Sequence, residues 1–405
     1  MIPMQLSSDV LNRVLYLTGS AEIADGLPDI AALPPFSDII VDFLNEASRE
    51  IMKDPRSKAF SDVITFAFWI RKASVLKLKE RFEEKDGNIR LGKGIVFHIA
   101  PSNVPVNFAY SLVSGLICGN ANVVRVPSKD FPQVAIIADA FNKVLEKKTD
   151  MRPYVICVRY ERDKEINDLF SSIADVRVVW GGDQTIAELR KSPLPPRSGE
   201  ITFADRYSLA VIDSDTYMAI ENKKRVAEDF YNDTFFSDQN ACTSPRIIIW
   251  TGARINEAKK LFWEKEHLLV SKKYQFQSIQ GVNKLTSGYL VSVAIQGCKI
   301  EPHEDNLIVR VRVPNLTDSL MDYKDNSGFF FEYDCNDIME LKELCNNKRC
   351  QTLSYIGDSK MFIPLINSGI KGIDRIEPVG KTMDFDLIWD GYNLKNSLSR
   401  IVVSI

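Results

Sequence analysis

The sequence is poor in the residues and patterns that mark several common classes of protein. Its seven cysteines include no C-x-x-C pair and only three histidines occur, which argues against a disulfide scaffold or a structural zinc site. The formal net charge of −3 is not the basic excess of a general nucleic-acid or membrane-surface binder. No apolar stretch approaches the roughly 18 residues of a membrane span, and no segment has the pattern of a signal peptide. We therefore expect a metal-free protein of the reducing cytoplasm, without nucleic acid or a membrane span as partner.

Hydrophobic residues make up 45% and charged residues 26% of the 405 residues, as in ordinary globular proteins of two or three domains. From residue 95 onward, apolar strand-like segments alternate with helical ones, which predicts βαβ units and mainly parallel sheets. Such sheets usually bind a nucleotide at the carboxyl ends of their strands. Strands are predicted at 95–99, 122–126, 154–158, 176–180, 208–212 and 246–250, and further strands near 307–311, 329–333 and 352–356. Helices are predicted at 62–82, 108–117, 131–145, 165–173, 217–235 and 256–269.

This pattern divides the chain into four predicted parts. They are a helical N-terminal region (1–85) packed on the cofactor domain, a nucleotide-binding domain (86–198), a second α/β domain (199–375), and a return segment with a β-rich tail (376–405). The Pro-rich stretch 192–199 is the clearest linker between the two α/β domains.

Cys242 is the most informative residue of the chain. It lies in Asp238-Gln-Asn-Ala-Cys-Thr-Ser-Pro-Arg246, a polar loop between a predicted helix and an apolar strand. An inert cysteine more often lies among apolar neighbours, although a lone cysteine is usually structural.

Asn103 supplies the second half of the pattern. It stands in Ala100-Pro-Ser-Asn-Val-Pro105, directly after a predicted strand, and the two prolines stiffen the turn. An asparagine in such a turn usually satisfies local backbone. Together, however, a thiol that attacks a carbonyl and an amide that holds the resulting oxyanion make one chemical unit.

The motifs resemble the aldehyde dehydrogenase superfamily, and within it the fatty acyl reductases of bacterial luminescence systems (the LuxC type). His98-Ile-Ala-Pro-Ser-Asn-Val-Pro105 resembles the oxyanion-asparagine motif, and Trp180-Gly-Gly-Asp183 the glycine turn beside the cofactor. Ala241-Cys-Thr-Ser-Pro245 and the late Trp389-Asp-Gly391 are similar to this branch. The resemblance covers residues 90–405. It implies an α/β, aldehyde dehydrogenase-like fold with two Rossmann-like parallel-sheet domains, a helical N-terminal region and a short C-terminal β arm.

The resemblance also implies a cofactor site. Asn122-Val-Val-Arg-Val-Pro-Ser-Lys129 is similar to the strand that meets the adenosine ribose, where many NAD-preferring members carry Lys and, three positions later, Glu. Here Arg125 and Ser128 stand at these positions, so the repelling carboxylate is missing, and Arg125 with Lys129 can pair with a 2′-phosphate. We therefore expect NADPH, with Gly181 and Gly182 in the glycine turn. Alternatively, the two cations are simply solvated at a strand end.

The acidic residues of the family are harder to place. Oxidising members use a glutamate that activates water, and the resemblance puts Thr202 near that position, with Glu200 two residues away. A missing base suits a reductase, because hydrolysis would waste the acyl-cysteine. Glu332 is a candidate for the family's second glutamate, which contacts the nicotinamide ribose, only because it lies in the corresponding region of the sequence. The simpler interpretation is that Glu332 is an exposed residue of a strand. A Cys–His hydrolase is disfavoured, since His98 lies within a strand, His267 in a charged helix and His303 in a polar loop.

The hypothesis is NADPH-dependent reduction of an acyl thioester, on coenzyme A or a carrier protein, to the aldehyde through an acyl-cysteine. Acyl transfer through Cys242 without reduction, aldehyde oxidation, and a scaffold with an inert Cys242 remain as alternatives. The resemblance further implies an acyl-activating synthetase as partner. The tail from residue 398 resembles an arm that joins a neighbouring subunit's sheet in a homo-oligomer, although an edge strand folded back on its own domain has the same sequence pattern.

Overall fold

A computed structural model describes residues 7–84, 87–301 and 305–403, and it divides into two compact units. The first unit comprises the described residues up to Ala204 together with those from Tyr392 onward, and the second runs from Asp205 to Gly391. The division differs from the predicted boundaries at 198/199 and 375/376, because the strand that begins at Gly199 pairs within the first sheet and the strand that begins at Arg375 pairs within the second. His303 lies outside the described residues.

The first unit is built on a six-stranded sheet of order β1-β5-β4-β3-β6-β7. The five neighbouring strands β5, β4, β3, β6 and β7 pair in parallel, and β1 lies at the edge, antiparallel to β5. The predicted helical N-terminal region therefore also contributes a strand, which was not predicted. The strands of this unit are β1 (Leu15–Thr18), β2 (Ile89–Gly92), β3 (Ile95–Ile99), β4 (Ala121–Arg125), β5 (Val155–Arg159), β6 (Val176–Trp180), β7 (Gly199–Phe203), β16 (Tyr392–Asn393) and β17 (Ser399–Val402).

The prediction of one long helix over 62–82 is wrong. The chain forms two helices there, because Arg71 adopts an extended backbone (φ −63°, ψ 147°) between Trp69 and Lys72. The helices of this unit are α1 (Ser8–Leu11), α2 (Ala21–Asp25), α3 (Asp38–Lys53), α4 (Ser61–Trp69), α5 (Lys72–Arg81), α6 (Asn107–Ile117), α7 (Pro132–Leu145), α8 (Lys164–Ile173), α9 (Asp183–Leu189) and α16 (Leu394–Leu398).

The β-rich C-terminal tail returns to the first unit. Its strand β17 pairs antiparallel with β2 of the same chain, with Ser399 opposite Gly92 and Val402 opposite Ile89. The side chain of Asn120, directly before β4, donates to the Leu398 carbonyl at 2.8 Å and links the returning tail to the sheet. The structure therefore contains the second of the two arrangements considered for the tail, in which its strand folds back and pairs within the same chain.

The second unit contains a seven-stranded sheet of order β10-β11-β12-β9-β8-β13-β14. All its pairs are parallel except β10–β11 at one edge. Its strands are β8 (Tyr207–Asp213), β9 (Pro245–Thr251), β10 (Lys299–Glu301), β11 (Val309–Arg312), β12 (Phe329–Asp334), β13 (Cys350–Ile356) and β14 (Arg375–Pro378), and this unit also contains the short strand β15 (Ile388–Trp389) outside that sheet.

Alternate residues of the central strands feed two hydrophobic cores, one on each face of this sheet. Leu209 and Ile247 belong to one cluster, whereas their neighbours Ala210 and Ile248 belong to the other. Side chains of a strand alternate between faces, so a sheet covered on both sides needs continuous apolar runs. This explains why β9 reads as Ile-Ile-Ile-Trp at its centre.

The helices of the second unit differ from the prediction in two places. The helix predicted at 217–235 is two helices separated near Glu221, and α13 was not predicted. Within the residues that the structure describes, no helix is long and apolar enough to cross a bilayer. The helices are α10 (Ser214–Ala219), α11 (Lys223–Asp233), α12 (Ile255–Lys273), α13 (Ser278–Ala294), α14 (Lys342–Cys345) and α15 (Ile363–Asn367).

Candidate active site

The predicted cofactor residues and Asn103 lie at one edge of the first sheet. Three loops, here called the sheet-edge loops (100–106, 126–131 and 181–182), follow β3, β4 and β6, which are parallel neighbours with β3 in the middle. Their carboxyl ends therefore meet at the same edge. Along the chain, β4 and β5 are added on one side of β3, and β6 is then added on the opposite side of β3. The strand order therefore reverses between β3 and β6. Ligands of open α/β sheets bind at such a point.

The basic side chains beyond β4 are held in different ways. The Arg125 guanidinium stacks on the Tyr160 ring at 4.6 Å and donates to the Tyr160 carbonyl at 3.3 Å. Ser128 and Lys129 are exposed, and the Lys129 ammonium lies 5.0 Å from the ring centre of Phe131. The edge thus combines an anchored guanidinium with a freely accessible hydroxyl and ammonium.

Arg159 is a further cation at this edge that sequence reasoning missed. It ends β5, the neighbour of β4, donates to the Pro127 carbonyl at 3.2 Å and pairs with the exposed Asp130 at 3.2 Å. Nothing in the local sequence marks it, because its proximity to the 126–131 loop depends on the strand order.

The glycine turn leaves its backbone accessible. Gly181 donates its N–H to the Phe203 carbonyl at 3.1 Å, and a Cβ added there would lie 3.2 Å from the Thr185 side chain. A Cβ at Gly182 would meet no atom within 4 Å. Close approach of a ligand to bare backbone is a common reason for glycine at such a turn.

His98 is part of the interior of the first unit. Its ring is fully buried and lies 2.7 Å from Ser111 Oγ and 3.0 Å from Asn122 Oδ1, and Trp180 Nε1 donates to the same Ser111 hydroxyl. Burial lowers the pKa of His98 to about 4, while the Asn122 contact opposes that shift. His98 is therefore neutral, and both of its ring nitrogens have hydrogen-bond partners. This agrees with its predicted packing inside a strand.

Cys242 lies in the second unit, in a loop here called the nucleophile loop (238–245), between α11 with its following 3-10 turn and β9. Asp238 and Gln239 both adopt left-handed backbone conformations, with φ of 53° and 51°. The buried Gln239 side chain accepts from the N–H groups of Gly328 and Phe329 at 2.7 and 3.1 Å, which anchors the loop to the start of β12. A strained turn of this kind persists only where surrounding contacts hold it.

Polar contacts also fix the loop beyond the cysteine. Ser208 Oγ donates to the Cys242 carbonyl at 2.7 Å, and Thr243 Oγ1 lies 3.3 Å from the sulfur of Met383. Arg246, itself 7% exposed, donates to the carbonyls of Gln239 and Asp325 at 2.7 and 2.6 Å. The nucleophile loop is thus attached to β8, to the segment after β14, and to the loop before β12.

The thiol of Cys242 is protonated at neutral pH in this environment. The residue is partly exposed, but burial of the sulfur is the largest cause that raises its pKa to about 12, and the Asp390 carboxylate raises it further. A hydrogen bond from the Gln351 side chain and the charge of Arg206 act in the opposite direction. Since the thiolate is the nucleophile, these groups control its reactivity.

Gln351 and Asp390 are neighbours of Cys242 that sequence reasoning did not identify. Gln351 lies on β13, and its Nε2 donates a short hydrogen bond to Asp390 Oδ1. Asp390 belongs to the Trp389-Asp-Gly391 segment, which was noted only as a family resemblance. No local signal reveals these neighbours, because Cys242, Gln351 and Asp390 lie on three separate segments of the chain.

The two glutamates considered from sequence are both engaged. Glu200 receives hydrogen bonds from Arg177 Nε at 2.9 Å and from Arg190 Nε at 2.7 Å. Burial raises its pKa, but these two arginines outweigh that effect and lower it overall. Glu332 is 1% exposed, so its interpretation as an exposed strand residue is wrong. It accepts from the indole N–H groups of Trp250 and Trp263 at 2.9 and 2.7 Å and pairs with Arg310.

The fold is shared with solved aldehyde dehydrogenases. The structure is similar to lactaldehyde dehydrogenase, with a TM-score of 0.65 and 12% identity over 94% of this chain and 89% of that one. It is also similar to the NADP-dependent glyceraldehyde-3-phosphate dehydrogenase of Bacillus halodurans C-125, with a TM-score of 0.63 and 14% identity over 95% and 90% of the two chains. The chain therefore has the aldehyde dehydrogenase-like α/β fold that its motifs implied.

Sequence comparison adds similarity to one family of reductases. Residues 71–268 match the family described as acyl-CoA reductase (LuxC). The long-chain acyl-protein thioester reductase of Aliivibrio fischeri is 24% identical over 173 residues, which are 42% of this chain and 35% of that protein. The match thus spans about a third of the length of this relative. The resemblance is confirmed: the chain is similar in sequence to LuxC-type acyl-CoA reductases, and its fold is similar to that of solved aldehyde dehydrogenases.

Within the residues that the structure describes, no group of His, Cys, Asp and Glu side chains is arranged to hold a metal ion.

Proposed function

We propose that this protein reduces an acyl thioester to an aldehyde, with NADPH as reductant and with an acyl-cysteine at Cys242. The nucleophile loop carries the proposal, because it presents a partly exposed cysteine on a backbone that buried hydrogen bonds hold in place. The similarity to acyl-CoA and acyl-protein thioester reductases supports it.

In the first half-reaction, Cys242 Sγ forms a bond to the thioester carbonyl carbon, and the thiol of the carrier leaves with the proton given up by Cys242. The oxyanion that forms on the carbonyl oxygen needs hydrogen-bond donors placed in advance. We assign this role to the side-chain amide of Asn103 and the backbone N–H of Cys242. The same two donors serve the second half-reaction, in which the acyl-cysteine carbonyl again becomes an oxyanion before the aldehyde leaves.

The sheet-edge loops fit a dinucleotide. Arg125, Ser128 and Lys129 would hold the adenosine ribose and its 2′-phosphate, and Gly181 with Gly182 would let the backbone approach the cofactor. No carboxylate stands at Ser128 to repel a phosphate, which favours NADPH over NADH. When bound, the reduced nicotinamide supplies the hydride that converts the acyl-cysteine to the aldehyde.

Reduction requires that water does not remove the acyl group first. The acidic residue nearest to the family's water-activating position, Glu200, is tied to Arg177 and Arg190 and is held in its ionised form. A carboxylate in such an ion pair is a weak base. This supports a reductase over an oxidising aldehyde dehydrogenase.

The substrate class follows from the proposed chemistry. The acyl group arrives as a thioester of coenzyme A or of a carrier protein, and an acyl-activating synthetase is the proposed partner that loads it. We further propose a homo-oligomer, as the resemblance implies, and a location in the reducing cytoplasm, as the cysteine usage favours.

The decisive experiment follows oxidation of NADPH with a panel of acyl-CoA substrates, with aldehyde detected as product. We expect turnover by the wild type and by Cys298→Ala, another partly buried cysteine of the same unit, but none by Cys242→Ala. Intact mass spectrometry should show the acyl group on Cys242 when NADPH is omitted. Labelling of Cys242 without any NADPH oxidation would contradict reduction and favour acyl transfer. A wild type that neither reacts nor becomes labelled would contradict both.

A further inference from the structure

We propose that Arg159 binds the 2′-phosphate of NADPH, and that the Asp130 carboxylate occupies the Arg159 guanidinium until the phosphate takes its place. The inference rests on the proposed use of NADPH, and it adds the residue pair that sets the preference for the phosphorylated cofactor. Both residues lie in the first unit, Arg159 at the carboxyl end of β5 and Asp130 in the loop that follows the neighbouring strand β4.

Arg159 contacts the loop after β4 at two points. Its Nε donates to the Pro127 carbonyl and its Nη1 donates to Asp130 Oδ1, each at 3.2 Å. Ser128 and Lys129, the exposed groups already assigned to the cofactor, lie between these two points along the chain. A phosphate held by their side chains would therefore be bound by the short segment whose two ends the guanidinium contacts.

The Arg159 guanidinium is held in place and still has donors to offer. Its side chain is 20% exposed, and the bond to the Pro127 carbonyl fixes its Nε end. A guanidinium carries five N–H groups, and its Nη2 has no hydrogen-bond partner within the residues that the structure describes. An arginine fork that is already oriented loses less conformational freedom when it binds phosphate oxygens.

The ion pair between Arg159 and Asp130 is of a kind that exchanges readily. It has one hydrogen bond, at 3.2 Å, and the Asp130 side chain is 86% exposed. Such exposed pairs contribute little to stability, because water competes for both charges. A phosphate monoester carries about two negative charges at neutral pH and offers three acceptor oxygens. A carboxylate carries one charge on two oxygens, so the phosphate is the stronger partner for the guanidinium.

The carboxylate partner distinguishes Arg159 from the other cations at this edge. The Arg125 guanidinium stacks on the Tyr160 ring and donates to the Tyr160 carbonyl, and the Lys129 ammonium lies over the Phe131 ring. Among these three cations, Arg159 alone has a carboxylate partner within the described part of the chain. The structure thus already accommodates an anion at Arg159, which is the condition for exchanging that anion for a phosphate.

Binding of the two reduced cofactors tests the proposal without turnover. NADPH and NADH differ only in the 2′-phosphate, so the ratio of their dissociation constants isolates its contribution. Isothermal titration calorimetry of the full chain, without acyl substrate, measures both constants. Arg159→Gln removes the guanidinium, and Asp130→Asn removes the competing charge. The matched controls are Arg162→Gln and Asp150→Asn, the same changes of charge at exposed positions of the same unit.

We expect the wild type to bind NADPH more tightly than NADH. Arg159→Gln should weaken binding of NADPH about tenfold, as is typical when a hydrogen bond to a charged group is lost, and leave binding of NADH nearly unchanged. Asp130→Asn should tighten binding of NADPH about threefold, the size of an exposed ion pair. In the Arg159→Gln background the gain should be much smaller, because no guanidinium is released. Both controls should leave the ratio unchanged.

Two results would overturn the proposal and leave NADPH as the cofactor. The first is a wild-type preference for NADPH that Arg159→Gln does not reduce, or reduces no more than Arg162→Gln does. Arg159 would then only support the loop. The second is an equal gain from Asp130→Asn in both backgrounds, which would show that Asp130 repels the phosphate by charge alone.

Asp130→Asn keeps the test decisive if Arg159→Gln does not fold, because it changes an exposed side chain. An unchanged ratio of dissociation constants in that variant would overturn the exchange. Failure of the proposed function looks different, since a wild type that binds NADPH and NADH equally would contradict the use of NADPH and this inference together.

Discussion

The nucleophile loop and the sheet-edge loops are built in opposite ways. In the nucleophile loop, Gln239 and Ser244 are fully buried, and hydrogen bonds reach from the loop to β8 and β12. The sheet-edge loops instead expose Asn103, Ser128 and Lys129. The difference shows which contacts fix the conformation of each region. The backbone that carries Cys242 is held by the protein itself, whereas the edge of the first sheet presents accessible groups that a ligand can cover.

Removal of the proposed oxyanion donor should have the largest effect on activity. We expect Asn103→Ala to slow both acylation of Cys242 and reduction of the acyl-cysteine by about a hundred- to a thousandfold, because the oxyanion forms in each step. Single-turnover measurements, with and without NADPH, separate the two steps. Ser102→Ala, at an exposed neighbour in the same loop, should leave both rates unchanged. Slowing of only one step would show that the two half-reactions do not share this donor.

Loss of the main anchor of the nucleophile loop should reduce stability. We expect Gln239→Ala to lower the free energy of unfolding by about 3 kcal/mol, because it leaves the buried N–H groups of Gly328 and Phe329 without an acceptor. Urea unfolding measures the change. Gln184→Ala, at an exposed position in the first unit, should alter stability by less than about 0.5 kcal/mol. Similar losses from both variants would contradict the contrast between the two regions.

A carboxylate placed at the sheet edge should change cofactor preference. We expect Ser128→Glu to raise the KM for NADPH about tenfold, which corresponds to about 1.4 kcal/mol, and to leave the KM for NADH nearly unchanged, because only NADPH carries the repelled 2′-phosphate. Steady-state kinetics with each cofactor provide the measurement. Ser8→Glu adds the same charge at the exposed start of α1 and serves as the control. An equal rise for both cofactors would argue against a phosphate at this position.

The smallest effect concerns the interior of the first unit. His98 has a pKa of about 4 in the folded state and about 6.5 unfolded, so the unfolded chain binds the proton first as pH falls. This contribution to stability is therefore complete above pH 6.5 and is lost as pH falls toward 4. Between about pH 7 and pH 5.5 we expect a loss of about 1 kcal/mol, measured by urea unfolding. His98→Gln should remove this part of the pH dependence, and parallel curves for the two proteins would contradict the assignment.

Much of the architecture could be predicted because parallel sheets impose a strong local pattern. The strands β3, β4, β6 and β9 lie within a residue or two of their predicted positions, since each is a short apolar run between turn signals. Helix boundaries were predicted less well. The break at Arg71 depends on a single extended residue, and the exposed face of α13 weakens the apolar periodicity from which a helix is recognised.

The sequence alone determined which residues carry the proposed chemistry. Cys242 and Asn103 stand in polar turns next to apolar strands, and the same local composition that forms those turns also presents the side chains. Arg125 and Lys129 could be identified for the same reason, because they lie at the end of an apolar strand and just beyond it.

Only the tertiary structure decided the surroundings that tune these groups. Arg159 reaches the loop 126–131 through strand order, and Glu332 is buried by two tryptophans from other elements. Gln351 and Asp390 bond to each other and both shift the pKa of Cys242, although each is distant from it along the chain. Burial and hydrogen bonding at short range set the pKa of a thiol, and a linear pattern does not contain the distances between segments that the folded sheet brings together.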